Sequence, residues 1–316
     1  MSGLGKKLRY DAGYLILRCS LGVARFASLR FLQWVFASLG SCATRLARKD
    51  RALVQAHLQL AFGEGVNGEA ILKAQGHHIG ALLGEALWLA HARPEAILER
   101  TVFVGLGYLH QALAQGRGVV LVTGHCGNWE WMNLALQAAG IPMTAAGRKL
   151  PDPRFDSLLT RLRTRFGGEA VSRGSNAGQS LLRALRRGRV VGLLIDQDIA
   201  APGVFVRFFG HPAWTPTGPA VLALRAQSPL VVGFARRLPK GTMELRFEPP
   251  IDPKGDAKNE QDVGQLTAYL SQRIEAHIRS CPEQWVWFHR RWRRKPQAGD
   301  RVWGPASYNM PLQEEP

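Results

Sequence analysis

The chain is short of acidic residues and of paired cysteines, and its first fifty residues contain no uncharged run long enough to cross a bilayer. Against 41 Lys and Arg stand 24 Asp and Glu, a formal charge of +17 over 316 residues. Such an excess selects anionic counterparts: nucleic acid, acidic lipid headgroups or an acidic carrier protein. The four cysteines, Cys19, Cys42, Cys126 and Cys281, lie far apart with no CxxC pair. This spacing excludes a disulfide framework and a structural zinc module, and makes a reducing cytoplasm the expected compartment. Internal repeats and helix-turn-helix, RRM and zinc-finger patterns are missing, and the positive charge is dispersed. No nucleic acid partner is therefore expected, and a basic nucleic-acid-binding module that uses the C-terminal tail stands as the alternative reading from another class. Apolar material is ample at 46% of residues, enough for one large α/β domain or two small ones.

Between Tyr14 and Leu39 the sequence is rich in Leu, Phe, Val and Ala, but Arg18, Arg25 and Arg30 interrupt it. The longest uncharged run of this region, Phe31 to Thr44, has 14 residues, whereas a spanning helix needs about 20. On a helix Arg18 and Arg25 fall close together and Arg30 to one side. That placement predicts an amphipathic helix resting in a membrane interface over residues 1–50, with a single spanning anchor and a plain core helix as the alternatives. LGSC at 39–42 resembles a lipoprotein cleavage site only faintly, because the stretch ahead of it is too basic for a signal peptide.

Residues 51–115 read as helical with a break at Arg93-Pro94, and His77, His78 and His91 read as helix-surface residues. After Gly116 short apolar runs alternate with amphipathic segments. Strands are expected over 118–122, 190–195, 230–235 and 243–247. Helices are expected over 129–139, 180–187 and 217–226, and again from the polar loop 250–262 to about Ser280. The pattern predicts a mixed, largely parallel sheet flanked by helices in one α/β domain over 51–295, with 296–316 as a C-terminal tail.

LVTGHCGNWE, residues 121–130, ends a strand at a glycine and then presents His125 and Glu130. Five residues of helix would leave the two about 140° apart, and a strand would place them on opposite faces. A turn through Gly124 and Gly127 sets His125 just beyond the strand and Glu130 in the first turn of the next helix. In open α/β sheets that edge is where ligands bind. An imidazole held by a carboxylate there is a general base able to take a proton from an alcohol. The same residues fit a plain strand-to-helix turn with Glu130 favouring the helix N-terminus. A nucleophilic Cys126 and a metal held by His125, Glu130, Asp196 and Asp198 are weaker readings. No second histidine lies near the cysteine in sequence, and HxxxxE is not the HExxH pairing.

The HxxxxE box after a strand resembles the H(X)4(D/E) signature of glycerolipid acyltransferases, and GHCGNWE resembles the bacterial lipid A late (lauroyl/myristoyl) acyltransferase branch. Two longer stretches are more specific to that branch: GLLIDQDIAAPGVFVRFFGHPAWTPTGPAVLA, 192–223, and PEQWVWFHRRW, 282–292. The similarity runs from about residue 50 to 295 with the blocks in order. It implies a glycerolipid acyltransferase-like fold. The reaction it implies is transfer of a fatty acyl chain from acyl carrier protein, or coenzyme A, to a hydroxyl of a membrane glycolipid. The acceptor most directly implied is a lipid A precursor of lipopolysaccharide biosynthesis, at the cytoplasmic face of the inner membrane, with no cofactor or metal. Other acceptors compatible with the resemblance are an ornithine lipid, a phosphoinositide mannoside or a lysophospholipid. By resemblance His125 is the base and Glu130 its orienting partner, while Asn128, Arg148, Arg173, Asp196 and Gln197 bind substrate. The chain departs from the family pattern at Arg207, where a proline is expected, and at Asp152, where an asparagine is expected.

Three physical readings accompany the resemblance. Amides opening the helix near Trp129, or the Arg148 guanidinium, could stabilise an oxyanion. The run Val204, Phe205, Val206, Phe208 and Phe209 fits either core or an acyl groove. The segment WVWFHRRWRRK sets Trp285, Trp287 and Trp292 among Arg290, Arg291, Arg293, Arg294 and Lys295. This composition predicts docking to an anionic membrane surface or an acidic carrier protein.

Overall fold

The computed structural model describes residues 3–304. Four helices open it: α1 (Gly3–Ala24), α2 (Leu29–Leu46), α3 (Arg48–Phe62) and α4 (Gly68–Leu89). The chain breaks between α1 and α2, where the Ser28 hydroxyl accepts from the Phe31 amide at 3.2 Å, satisfying one of the donors a helix start leaves open. The stretch expected as one amphipathic helix is thus two. Among the described residues no helix is long and apolar enough to cross a membrane.

α2 lies directly on α4. A Cβ on Gly80 would stand 2.0 Å from the Phe36 carbonyl oxygen, and one on Gly84 2.6 Å from that of Leu32. Gly76, Gly80 and Gly84, four residues apart, give α4 a bare stripe that admits the α2 backbone. His78, expected on the helix surface, is buried on the other side of the stripe, whereas His77 and His91 are exposed.

The α/β region follows: α5 (Pro94–Leu98), β1 (Thr101–Val104), α6 (Leu106–Leu113), β2 (Val119–Thr123), α7 (Trp129–Ala138), β3 (Met143–Gly147), α8 (Pro153–Arg163), β4 (Glu169–Ser172) and α9 (Ala177–Arg186). Next come β5 (Val190–Leu194), β6 (Gly203–Phe208), β7 (His211–Pro216), α10 (Gly218–Ala226), β8 (Leu230–Arg237), β9 (Met243–Phe247), α11 (Glu260–Ser280) and β10 (Val302–Trp303). Seven strands form one sheet in the order β1-β9-β8-β2-β5-β3-β4. Every pair is parallel except β8 with β9, so the expected mixed, largely parallel sheet is present.

Its central strand VVLVT is buried along its whole length, as a strand covered on both faces must be. Val120, Val122 and Val191 face a core shared with α3, α9, α10 and α11. Val119, Leu121 and Val190 face α5, α6 and α7. Each such side chain contributes about 1.5–3 kcal/mol by leaving water.

Two expectations need correction here, and one is decided between its alternatives. Residues 51–115 are not all helical, since 101–104 form the edge strand β1. Phe205, Val206, Phe208 and Phe209 are buried on and beside a second sheet, β10-β6-β7, so the run is core as one of the two readings had it, and the expected tail contributes β10 to the sheet. Trp285, Trp287 and Trp292 are at most 5% exposed and Arg291 is fully buried, so these side chains belong to the interior and face no membrane.

Candidate active site

Strand register assembles the site. β2 and β5 are adjacent and parallel, with Thr123 opposite Leu194. Two residues beyond each strand end stand His125 and Asp196, which therefore meet although they are far apart in sequence. His125 Nδ1 lies 2.7 Å from Asp196 Oδ1, and the His125 amide donates to Oδ2 at 2.6 Å. Trp285 adds its indole N–H to Oδ2 at 2.7 Å. Burial alone would raise the Asp196 carboxyl, but the imidazole, the indole and the amide outweigh it and hold it at about 2. An ionised Asp196 only accepts, so Nδ1 carries a proton, and in the neutral ring the lone pair is on Nε2. Trp129 sets its ring edge-on to the imidazole, with centroids 4.9 Å apart.

The turn requires both glycines. Gly127 has φ +56°, and a Cβ there would lie 1.9 Å from the Ala235 carbonyl oxygen. At Gly124 a Cβ would press on Ile274 and on the Asp196 carboxylate, separating the acid from the histidine.

Glu130 is not the carboxylate on His125. It lies in the first turn of α7 and accepts from Arg163 Nε at 2.9 and 3.1 Å, with Nη2 as a further donor. Arg163, at the end of α8, was not among the expected residues, and one arginine in a basic amphipathic helix carries no sequence signal. Asn128 also differs from expectation. It caps α7 by accepting from the Trp131 amide at 2.9 Å and donates Nδ2 to Glu85 at 2.8 Å, so both ends of its amide are taken up inside the protein.

His125, Arg148, Arg163, Arg173 and Gln197 line one cleft of about 480 Å³ at the carboxyl edge of the sheet. Arg148 and Arg173 each follow a strand end directly, β3 and β4, whose last residues Gly147 and Ser172 are paired. The two guanidiniums are therefore neighbours, and neither has an acidic partner among the described residues. Burial, then the charge of Arg148, lowers the pKa of Arg173. The remaining wall is apolar, with Leu159, Val171, Leu181, Leu193, Ile199 and Val221. The cleft thus joins a carboxylate-held histidine, cations without counter-charge and a hydrocarbon-like surface.

The rival readings fare differently. Cys126 is 1% exposed, bridged to Trp285 outside the cleft, and its thiol is pushed up by burial, then by the Asp196 charge. That is the state of an inert cysteine. Asp198 is turned to Arg293 at 3.1 Å and to the Arg294 amide at 3.0 Å, and Glu130 to Arg163. The four residues considered for a metal do not converge, and no other metal-binding group occurs among the described residues.

Comparison with known proteins places the chain in a family. Residues 6–294 match the sequence profile described as "Bacterial lipid A biosynthesis acyltransferase". A lipid A biosynthesis lauroyltransferase of Escherichia coli is 29% identical over 82% of this chain and 84% of its own. A lipid A biosynthesis acyltransferase of Haemophilus influenzae is 26% identical over 83% of this chain and 81% of its own. A phosphatidylinositol mannoside acyltransferase of Mycobacterium tuberculosis is 31% identical over 60% of each chain. Among solved structures, the 1-acyl-sn-glycerophosphate acyltransferase of Thermotoga maritima aligns with a TM-score of 0.38 at 14% identity, over 80% of this chain and 99% of that one. The profile spans the opening helices, the histidine turn, the cleft and the buried C-terminal strap, and the chain belongs to the bacterial lipid A biosynthesis acyltransferase family.

Proposed function

We propose that the protein transfers a fatty acyl chain from an acyl carrier protein thioester to a hydroxyl of a lipid A precursor, with His125 as general base. The observation that carries this reading is the His125–Asp196 pair at the head of an amphipathic cleft. Nε2 takes the hydroxyl proton while the oxygen attacks the thioester carbonyl carbon. The tetrahedral oxyanion then collapses, the C–S bond breaks, and the leaving thiolate takes the proton from the imidazolium. Such a base contributes roughly 10²–10⁴-fold. Glu130 acts through Arg163, fixing a guanidinium in the cleft wall. Arg148, Arg163 and Arg173 suit a developing oxyanion or the phosphates of either substrate. Asp196 acts through His125, and Gln197, which has no protein partner among the described residues, is free for substrate.

The +17 charge suits an anionic donor, and an acidic carrier protein answers it over a wider surface than coenzyme A, which is anionic too. The outer faces of α1 and α2 suit a seat on the cytoplasmic face of the inner membrane. A phosphatidylinositol mannoside is the second acceptor to consider, since relatives of that name match 60% of the chain at 31% identity.

The test is mass spectrometry of lipids after incubating the protein and its His125→Ala variant with acyl carrier protein thioesters and solubilised glycolipid acceptors. The expected result is a mass gain of one acyl group, formed about 10²–10⁴-fold more slowly by the variant. Near-normal turnover by a folded variant would end the general-base assignment, and no gain with any acceptor would end the substrate reading.

A further inference from the structure

Glu85 is fully buried on α4, and none of the chemistry above uses it. Its carboxylate is the centre of a closed set of bonds. Arg237, at the end of β8, holds it with two donors, Nη2 to Oε2 at 2.8 Å being one. Gln33 of α2 donates to Oε1 at 2.8 Å, and Asn128 Nδ2 to Oε2 at 2.8 Å. Arg237 Nη1 continues to His78 Nδ1 at 2.6 Å.

The same arginine is tied by its backbone to the other side of the histidine turn. Its amide donates to Gln284 Oε1 at 2.8 Å, and its carbonyl accepts from Gln284 Nε2 at 3.0 Å. The Gln284 carbonyl in turn accepts from the Gly127 amide at 2.9 Å, and the next residue, Trp285, holds Asp196. The turn 124–128 is therefore clamped at Asn128 by Glu85 and at Gly127 by Gln284, with Arg237 joining the two clamps.

A buried ion pair costs desolvation that its attraction barely offsets, and an apolar pair of similar size is often as stable. What this pair does fix is the position of the histidine turn. Neither Glu85, Arg237 nor Asn128 lines the cleft, so contact with substrate does not account for them.

We propose that Glu85 is a positioning residue for His125, acting through Asn128 to hold the turn that carries the base. Asn128 is then the link, and its side chain orients the loop instead of binding substrate. The kinetic part of this inference rests on the acyl-transfer reading. The structural part does not, because Cys126 sits inside the clamped turn and its alkylation reports whether the turn opens.

Two variants test it. Glu85→Met with Arg237→Met removes both charges while keeping volume, and Asn128→Ser keeps an acceptor for the Trp131 amide but cuts the link to Glu85. Thermal unfolding and near-ultraviolet circular dichroism establish that each is folded. A displaced base predicts kcat lower by about 10–100-fold with KM for the thioester within about threefold. Cys126 alkylation by iodoacetamide, mapped by mass spectrometry, is expected to be about tenfold faster, with Cys281 unchanged. Combining the two sets is expected to cost less than about twofold beyond either alone, because both break one linkage. Unchanged kcat, raised KM at unchanged kcat, multiplying losses, or lost turnover without faster Cys126 alkylation would each overturn the proposal. If the wild-type protein transfers no acyl group the proposed reaction fails, and the alkylation rates alone decide the positioning role.

Discussion

The nitrogen of His125 that reaches the cleft is set by what holds the other one. Asp196 accepts three donors at once, two of them from His125 itself. Asn in its place offers one carbonyl oxygen and an NH₂ group that must face a donor or seize Nδ1 as acceptor. The second arrangement moves the proton to Nε2 and abolishes the base. Asp196→Asn is expected to lower kcat by about 10²–10⁴-fold with the protein still folded, measured as turnover alongside thermal unfolding; turnover within a factor of about three would remove Asp196 from the mechanism. His125 was legible from the sequence because an apolar run, two glycines and an acid surround it. The pairing was not. Asp196 was named as a ligand in a weak metal reading and, by resemblance, as a substrate-binding residue, never as the partner of His125; their meeting depends on β2 lying beside β5, which no local pattern encodes. Arg163 left no signal at all among 41 basic residues.

Elements with a strong period were readable, and those that depend on distant partners were not. The helices over 129–139, 217–226 and up to about 280 and the four strands expected from apolar runs are all present. β1, β3, β4, β6, β7 and β10 were not expected: MTAAG of β3 carries little β-forming pattern, whereas TVFV of β1 carries a strong one and was absorbed into a stretch read as helical. The C-terminal strap shows the opposite failure. Tryptophans among arginines look like an interface belt, yet Asp196, Asp198 and Thr215 supply buried partners that bring the segment inside. The glycines of α4 are a signal at element scale: GHHIGALLG repeats glycine every fourth residue, the spacing of a helix crossing without side chains. Adding one methyl group there tests how tightly α2 is held. Gly80→Ala places a Cβ against the α2 backbone and is expected to cost about 1–3 kcal/mol. Gly22→Ala, with nothing within 4 Å, is expected to be neutral or to gain up to about 1 kcal/mol from helix propensity. Denaturant unfolding of both variants separates a packing effect from a propensity effect; equal stability of the two would show that α2 can move off α4 freely.

For the whole molecule, two properties coincide on its surface. The net charge is strongly positive, at +17, and the outer sides of α1 and α2 with the turn between them expose large apolar residues that no other part of the described chain covers, Phe26 in the turn at 88% and Trp34 at 67% among them, with Leu15, Ile16, Val23 and Phe31. Electrostatic attraction to anionic lipid falls with salt, since the screening length drops from about 10 Å at 0.1 M to about 3 Å at 1 M, whereas apolar insertion does not. The two contributions are therefore separable in a vesicle co-sedimentation assay. Binding to vesicles containing anionic lipid is expected to weaken as salt rises and to level off at a residual value. Phe26→Ser with Trp34→Ser should leave the fold intact, because both side chains are exposed, and should remove the residual binding while sparing the salt-dependent part. Residual binding unaffected by the two serines would move the membrane seat away from α1 and α2. Binding that vanishes completely with salt would make the attachment electrostatic, and the glycolipid would then reach His125 without the apolar face being embedded.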